Sequence, residues 1–172
     1  MSRRLIRFLL ALGPLPLGTA ACAEPVAQAG ARSDCEQQWV ALTGRIVDEA
    51  ELLPQEDEAK LTEKLDALER RNGRQLVIAT VATLQGRSIE VYSLCLANHW
   101  EVGRKDVNDG VVMLVAPNER KIRIEVGLGV ETVVTDEEAK TILDEVVIPA
   151  FKAGDFSRGI ASGIDALVGE LQ

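Results

Sequence analysis

The side chains that could do chemistry fall into two stretches. Asn108-Asp109 stands immediately before an uncharged apolar run, and Glu131 to Asp136 comes after the next, alternating run. These are oxygen donors, the ligands of a hard cation. Calcium takes six to eight oxygens from carboxylates, amides and carbonyls on loops that can bend. Asn108, Asp109, Glu131 and Asp136 would supply four and Asp48 a fifth, with carbonyls near Gly127 and Gly129 and water completing the shell. The linear spacing matches no EF-hand loop, so such a site has to be assembled in space. The same residues also read as plain structure: Asn108-Asp109-Gly110 as a turn before a strand, Asp136 as a favourable charge at a helix start.

Other chemistries have less to stand on. Metal-assisted phosphate hydrolysis needs cationic charge on the phosphoryl oxygens and a positioned nucleophile. Arg104 or Lys105 could hold a phosphate beside the carboxylates. The chain has no P-loop and a single histidine, His99, and Cys95 is followed by Leu-Ala-Asn-His-Trp rather than a phosphate-cradling loop. Ser88, Ser93, Ser157 and Ser162 lie in no nucleophile elbow. Gly127-x-Gly129 is too short a match for dinucleotide binding. Trp39 and Trp100 read as packing residues.

The elements that must position these residues are legible in the pattern. Pro54 to Arg71 reads as a helix, with Glu56, Asp57 and Glu58 in its first turn, Leu61, Leu65 and Leu68 on one face, and Asn72-Gly73 as its stop. Gln75 to Thr83 is uncharged and rich in Val, Ile and Thr, a strand buried on both faces. Ser88 caps a helix reaching about Trp100. Gly110 to Ala116 and Lys121 to Val126 form a hairpin across Pro117–Arg120; in the second strand Ile122, Ile124 and Val126 alternate with Arg123 and Glu125. The hairpin puts Asn108-Asp109 and Glu131–Asp136 at the same end of the sheet. Thr135 and Glu138 make a capping box for a helix that Pro149 ends or bends near Ile148. Asp155 caps a last helix to Leu171. Residues 39–47 suit an edge strand. The whole predicts an α/β fold, a three-layer α/β/α sandwich with a mixed central sheet of about four strands.

The N-terminus has a different character. Arg3, Arg4 and Arg7 precede a short apolar stretch, Phe8 to Leu17, and then small residues to Ala23, the order of a secretory signal. Cleavage after Ala21-Cys22-Ala23 is one route; lipidation of Cys22 is the other, with Thr19 an unusual residue three places ahead of it. Removing residues 1–23, which carry three arginines and no acid, takes the net charge from −8 to −11. Such acidity disfavours nucleic acid and anionic lipid as partners. Cys35 and Cys95 remain in either case. In an oxidising compartment an even pair points to a disulfide, two buried thiols being the alternative.

Four stretches in order resemble a TPM domain. They are Gly44 to Ala50 with Leu53-Pro54; Leu96-Ala97-Asn98-His99-Trp100 with Gly103 and Asn108-Asp109-Gly110-Val111; Arg123 to Glu131 with Thr135-Asp136; and Ile148-Pro149-Ala150-Phe151 with Gly154-Asp155-Phe156. Together they span about residues 44–170. The resemblance implies an α/β/α domain working outside the cytoplasm or in thylakoids. Some such proteins are described as calcium binding, some as acid phosphatases, and others have accessory roles. Many bacterial ones carry a C-terminal transmembrane segment or a glycine-rich tail; neither is seen here, so no transmembrane span is expected in the mature chain. The family often has a hydroxyl residue before the helix-opening proline, where this chain has Leu53, so that cap is expected to be weaker.

The expectations are therefore a signal peptide over 1–23, a flexible leader over 24–38 and a TPM-like domain over 39–172. The protein is expected in the periplasm or secreted, as a calcium-binding, non-enzymatic module with an envelope protein partner. Metal-assisted acid phosphatase activity is the alternative.

Overall fold

A computed structural model describes Cys35 and residues 39–172. The signal segment, Cys22 and the rest of the leader lie outside the described residues. Three acids in its first turn and Arg70 and Arg71 in its last favour the first helix, α1 (Gln55–Asn72). Gly73 ends it at a φ of 79°, its N–H bonded to the Glu69 carbonyl. No side chain caps the start of α1. Instead Asp48, at the end of strand β1 (Ile46–Asp48), takes the N–H groups of Leu52 and Leu53 on its two carboxylate oxygens. That latch holds the segment leading into Pro54, and the free N–H groups of the first turn of α1 have no side-chain cap.

Strand β2 (Gln75–Thr80) follows, then helix α2 (Ile89–His99), whose N-terminus is capped by Ser88 accepting from the Val91 N–H. Strands β3 (Gly110–Ala116) and β4 (Lys121–Val126) make the expected hairpin. The sheet order is β1-β2-β3-β4, with β1, β2 and β3 parallel and β4 antiparallel. Every residue of β3 is buried, as a strand covered on both faces must be. One face packs Leu76, Ile78, Val111, Met113 and Ile124 under α1 and the C-terminal helices. The other packs Val77, Ala79, Val112 and Leu114 under α2. This is the three-layer α/β/α sandwich with a mixed four-stranded sheet.

The segment after the sheet departs from a plain helix. Thr135 and Glu138 form the capping box, opening α3 (Asp136–Thr141). The chain then widens into a π turn (Ile142–Val147) and continues as α4 (Ile148–Lys152). Pro149 therefore sits inside a helical segment rather than ending it. Proline lacks an N–H and crowds the carbonyl four residues back; the wider turn, in which the Ile148 N–H reaches the Leu143 carbonyl, makes room for it. Helix α5 (Phe156–Glu170) closes the chain, capped by Asp155 accepting from the Arg158 N–H.

Cys35 and Cys95 are joined in a disulfide, with Cα atoms 5.2 Å apart. It ties Cys35 to α2. The indole N–H groups help: Trp39 donates to the Cys35 carbonyl and Trp100 to the Val40 carbonyl. Among the described residues no helix is long and apolar enough to cross a membrane.

Candidate cleft at the 107–131 end of the sheet

The hairpin does bring Asn108 and Glu131 to one end of the sheet. Val111 pairs with Val126, so β3 begins where β4 finishes. Beyond the paired residues the two backbones stay in contact: the Gly127 N–H reaches the Gly110 carbonyl and the Gly129 N–H reaches the Asn108 carbonyl. A Cβ on Gly127 would lie 2.2 Å from the Asn108 oxygen, and one on Gly129 would lie 1.9 Å from the Val107 oxygen. Both positions demand glycine because backbone passes where a side chain would be. The two loops are locked together by main chain.

Against this junction α2 leaves a cleft of about 370 Å³. Asn98, Asn108, Glu125 and Glu131 give it oxygen donors, and Leu94 and Leu128 give it an apolar rim. Both leucines are exposed, Leu94 by 45% and Leu128 by 73%. Glu125 is held in place: its Oε2 accepts from the buried Ser93 hydroxyl at 2.7 Å and from Arg123 Nε at 2.8 Å. Arg123 and Glu125 are the polar half of the β4 alternation, and Ser93 meets them from α2. The sequence offered no sign of this trio beyond the i, i+2 spacing on β4.

The remaining predicted ligands go elsewhere. Asp109 is 1% exposed and turned inward. Its Oδ1 accepts the Arg104 N–H at 2.8 Å and its Oδ2 accepts Arg104 Nε at 2.8 Å and Nη2. Burial works against its ionisation, but the guanidinium and the main-chain N–H of Arg104 outweigh it and hold the carboxyl below the usual range. Asp109 thus clamps the loop from Gly103 to Asn108. Arg104, spent on this clamp, has its own pKa pushed up by the same contact.

Asp48 stands opposite Thr80 and, through β2, near Val115, whereas Asp109 precedes Gly110; five residues of strand put about 16 Å between the two ends. Its oxygens are committed to Leu52, Leu53 and the Thr80 hydroxyl. Asp136 is exposed in the first turn of α3, one turn of chain beyond Glu131, and does not line the cleft. His99 is exposed at the end of α2, its ring centroid 6.4 Å from that of Trp39.

Of the five predicted ligands, two share the cleft. Among the described residues no three His, Cys, Asp or Glu side chains gather closely enough to hold a metal ion. The five do not form an all-protein calcium cage. What the cleft offers is one unpaired carboxylate, Glu131, with two amides and a second carboxylate already hydrogen-bonded, a donor set suited to a cation that keeps much of its own water.

Comparison with known proteins agrees with this architecture. The N-terminal domain of a P. gingivalis protein, solved by NMR, is 27% identical, with a TM-score of 0.70 over 75% of this chain and 82% of that one. The N-terminal domain of a Corynebacterium glutamicum protein superposes with a TM-score of 0.59 at 12% identity, covering 79% of this chain and 85% of that one. The BA42 protein of the psychrophilic bacterium Bizionia argentinensis does so with a TM-score of 0.61 at 20% identity, covering 70% and 82%. These last two show the shared fold alone. No curated protein matches. The family model described as the TPM domain matches residues 46–170, which take in the sheet, the clamp and the cleft; the chain belongs to the TPM domain family.

Proposed function

We propose that this TPM domain is an exported module of the cell envelope that works by binding rather than by chemistry, and that its binding face is the cleft between α2 and the 107–131 loops. The observation that carries this reading is the cleft itself, where exposed Leu94 and Leu128 flank Asn108 and Glu131 over a main-chain junction that cannot give. Apolar side chains beside fixed polar groups are the make-up of a recognition surface. Export is supported by the signal-like N-terminus and by the disulfide, a bond that persists in oxidising compartments.

Calcium belongs to this proposal as a weak, water-rich ligand of Asn108 and Glu131, in the range of extracellular modules, on the order of 10⁻⁴–10⁻³ M. Asp109 supports the fold beside it, Asp48 lies at the far end of the sheet, and neither is a ligand in this reading. Within the cleft nothing favours acid phosphatase chemistry in particular: Arg104 is tied to Asp109, and Glu125 to Ser93 and Arg123.

Thermal unfolding in EDTA and in calcium tests the reading. At a dissociation constant on the order of 10⁻⁴–10⁻³ M, 1 mM calcium adds about 0.4–1.4 kcal/mol. Stabilisation by millimolar calcium, with no turnover of a chromogenic phosphate ester, is expected. Turnover that depends on Glu131 would replace the binding module by an enzyme.

A further inference from the structure

A second cavity lies at the opposite end of the sheet from the cleft. It measures about 590 Å³, within the range of small-molecule sites, and sits between the β3–β4 turn and the junction of α4 with α5. Its walls include Ile122, Phe151 and Phe156; the two phenyl rings are 4.9 Å apart and tilted by 51°. Phe151 is fixed over α5, since a Cβ at Gly159 would lie 2.5 Å from its ring. Arg120, Lys121 and Lys152 also line it, and no carboxylate does.

That composition is out of keeping with a chain of net charge −8. Lys121 lies on the α2 face of β4 with Arg123 and Glu125, where its charge acts on Glu90 and Glu119. Arg120 and Lys152 form no ion pair with another described residue, whereas Arg45, Lys60, Lys64, Arg104, Arg123 and Lys140 all do. The acids nearest in the chain are turned away. Glu119 Oε1 accepts from the Thr83 hydroxyl and the Leu84 N–H, and Asp155 caps the Arg158 N–H. Two unpaired cations, Arg120 and Lys152, beside an aromatic floor make a local positive field in an acidic protein, and a low-dielectric wall focuses it. The geometry points to a binding site for a small soluble anion with a flat apolar body, an aryl carboxylate or aryl phosphate. The rings would cover the aromatic body, and Arg120 and Lys152 would hold the head group. The net acidity of the molecule opposes docking on an anionic membrane, which makes a soluble ligand the better fit.

The test uses the purified protein and three probes: naphthalene-2-carboxylate, the neutral naphthalene-2-methanol, and phosphatidylglycerol vesicles. NMR titration should move the Phe151, Phe156 and Ile122 resonances with the carboxylate at submillimolar concentration. The alcohol should bind about tenfold more weakly, and the variant Arg120→Gln/Lys152→Gln should lose that preference while keeping the wild-type Tm, since it changes only exposed charges without an ion-pair partner among the described residues. Equal affinity for acid and alcohol, or a preference unchanged in the variant, would show an apolar slot with bystander charges and overturn the assignment. So would the absence of any shift at 10 mM probe. Sedimentation with the vesicles that is lost in Arg120→Gln/Lys152→Gln, with no shifts from the carboxylate, would identify a membrane lipid as the occupant and overturn the soluble one.

Discussion

Replacing Asp109 by asparagine removes one charge from a group that is 1% exposed and receives three hydrogen bonds from Arg104. Asparagine can still accept the main-chain N–H on Oδ1. Its amide nitrogen then faces the guanidinium, donor against donor. Hydrogen bonds to charged groups contribute about 1.5–3 kcal/mol. The Arg104 side chain is 52% exposed, so water screens part of the attraction and the lower end of that range applies. The expected loss is about 2 kcal/mol at pH 7, or about 4–8 °C in Tm for a domain of this size. The pH dependence has a definite sign. Because the folded pKa of Asp109 is lowered, its contribution is complete above the unfolded value near 3.9 and disappears as the pH falls through the folded value. Urea unfolding of both proteins from pH 7 to pH 2.5 should show the gap closing in acid, and it should be the same in EDTA and in calcium. A variant within about 0.5 kcal/mol of the wild type at pH 7 would refute the clamp. A gap that exists only in calcium would make Asp109 a ligand after all.

Three further predictions come from the same geometry. Gly129→Ala forces the 107–108 and 127–129 backbones apart and should cost about 1–3 kcal/mol in urea unfolding, with amide shifts concentrated at residues 107–110; an unperturbed protein would show that the main-chain junction is not tight. Cys35→Ser should lower stability by up to about 4 kcal/mol, the loop-closure value for a separation of 60 residues, and dithiothreitol should do the same to the wild type but nothing to the variant. Mass spectrometry of the mature protein should find an N-terminus at Glu24; a diacylated Cys22 would instead make the module membrane-anchored.

Much of this molecule could be read before any coordinates, and for identifiable reasons. Gln75–Thr80 and Gly110–Ala116 carry no charge, and only strands covered on both faces can be built that way. The alternation of β4 and its short turn fixed the hairpin, and with it the meeting of Asn108 and Glu131. The π turn escaped notice because Pro149 in a helical pattern ordinarily signals an end, and nothing in Ile142–Val147 says that the turn will widen instead. At the site, residue type was a poor guide to orientation. Asp109 and Asn108 are neighbours, yet one carboxylate turns inward to Arg104 five residues back, while the other side chain lines the cleft. Asp48 could not be separated from the site by sequence distance; only the parallel register of β1 with β2 puts it at the far end. The partnership of Ser93 with Glu125 joins a helix to an edge strand 32 residues on, which local pattern cannot show.

The central claim is that the cleft holding Asn108 and Glu131 is the binding face, and that Glu131 rather than Asp109 meets the cation. An NMR calcium titration of the wild type and of Glu131→Gln tests it most directly. The account predicts calcium-dependent shifts that begin at Asn108, Gly127 and Glu131, saturate in the millimolar range and vanish in Glu131→Gln, whose spectrum in EDTA stays that of the wild type. Shifts centred on Asp48 or Asp136, or a response undiminished in Glu131→Gln, would contradict it.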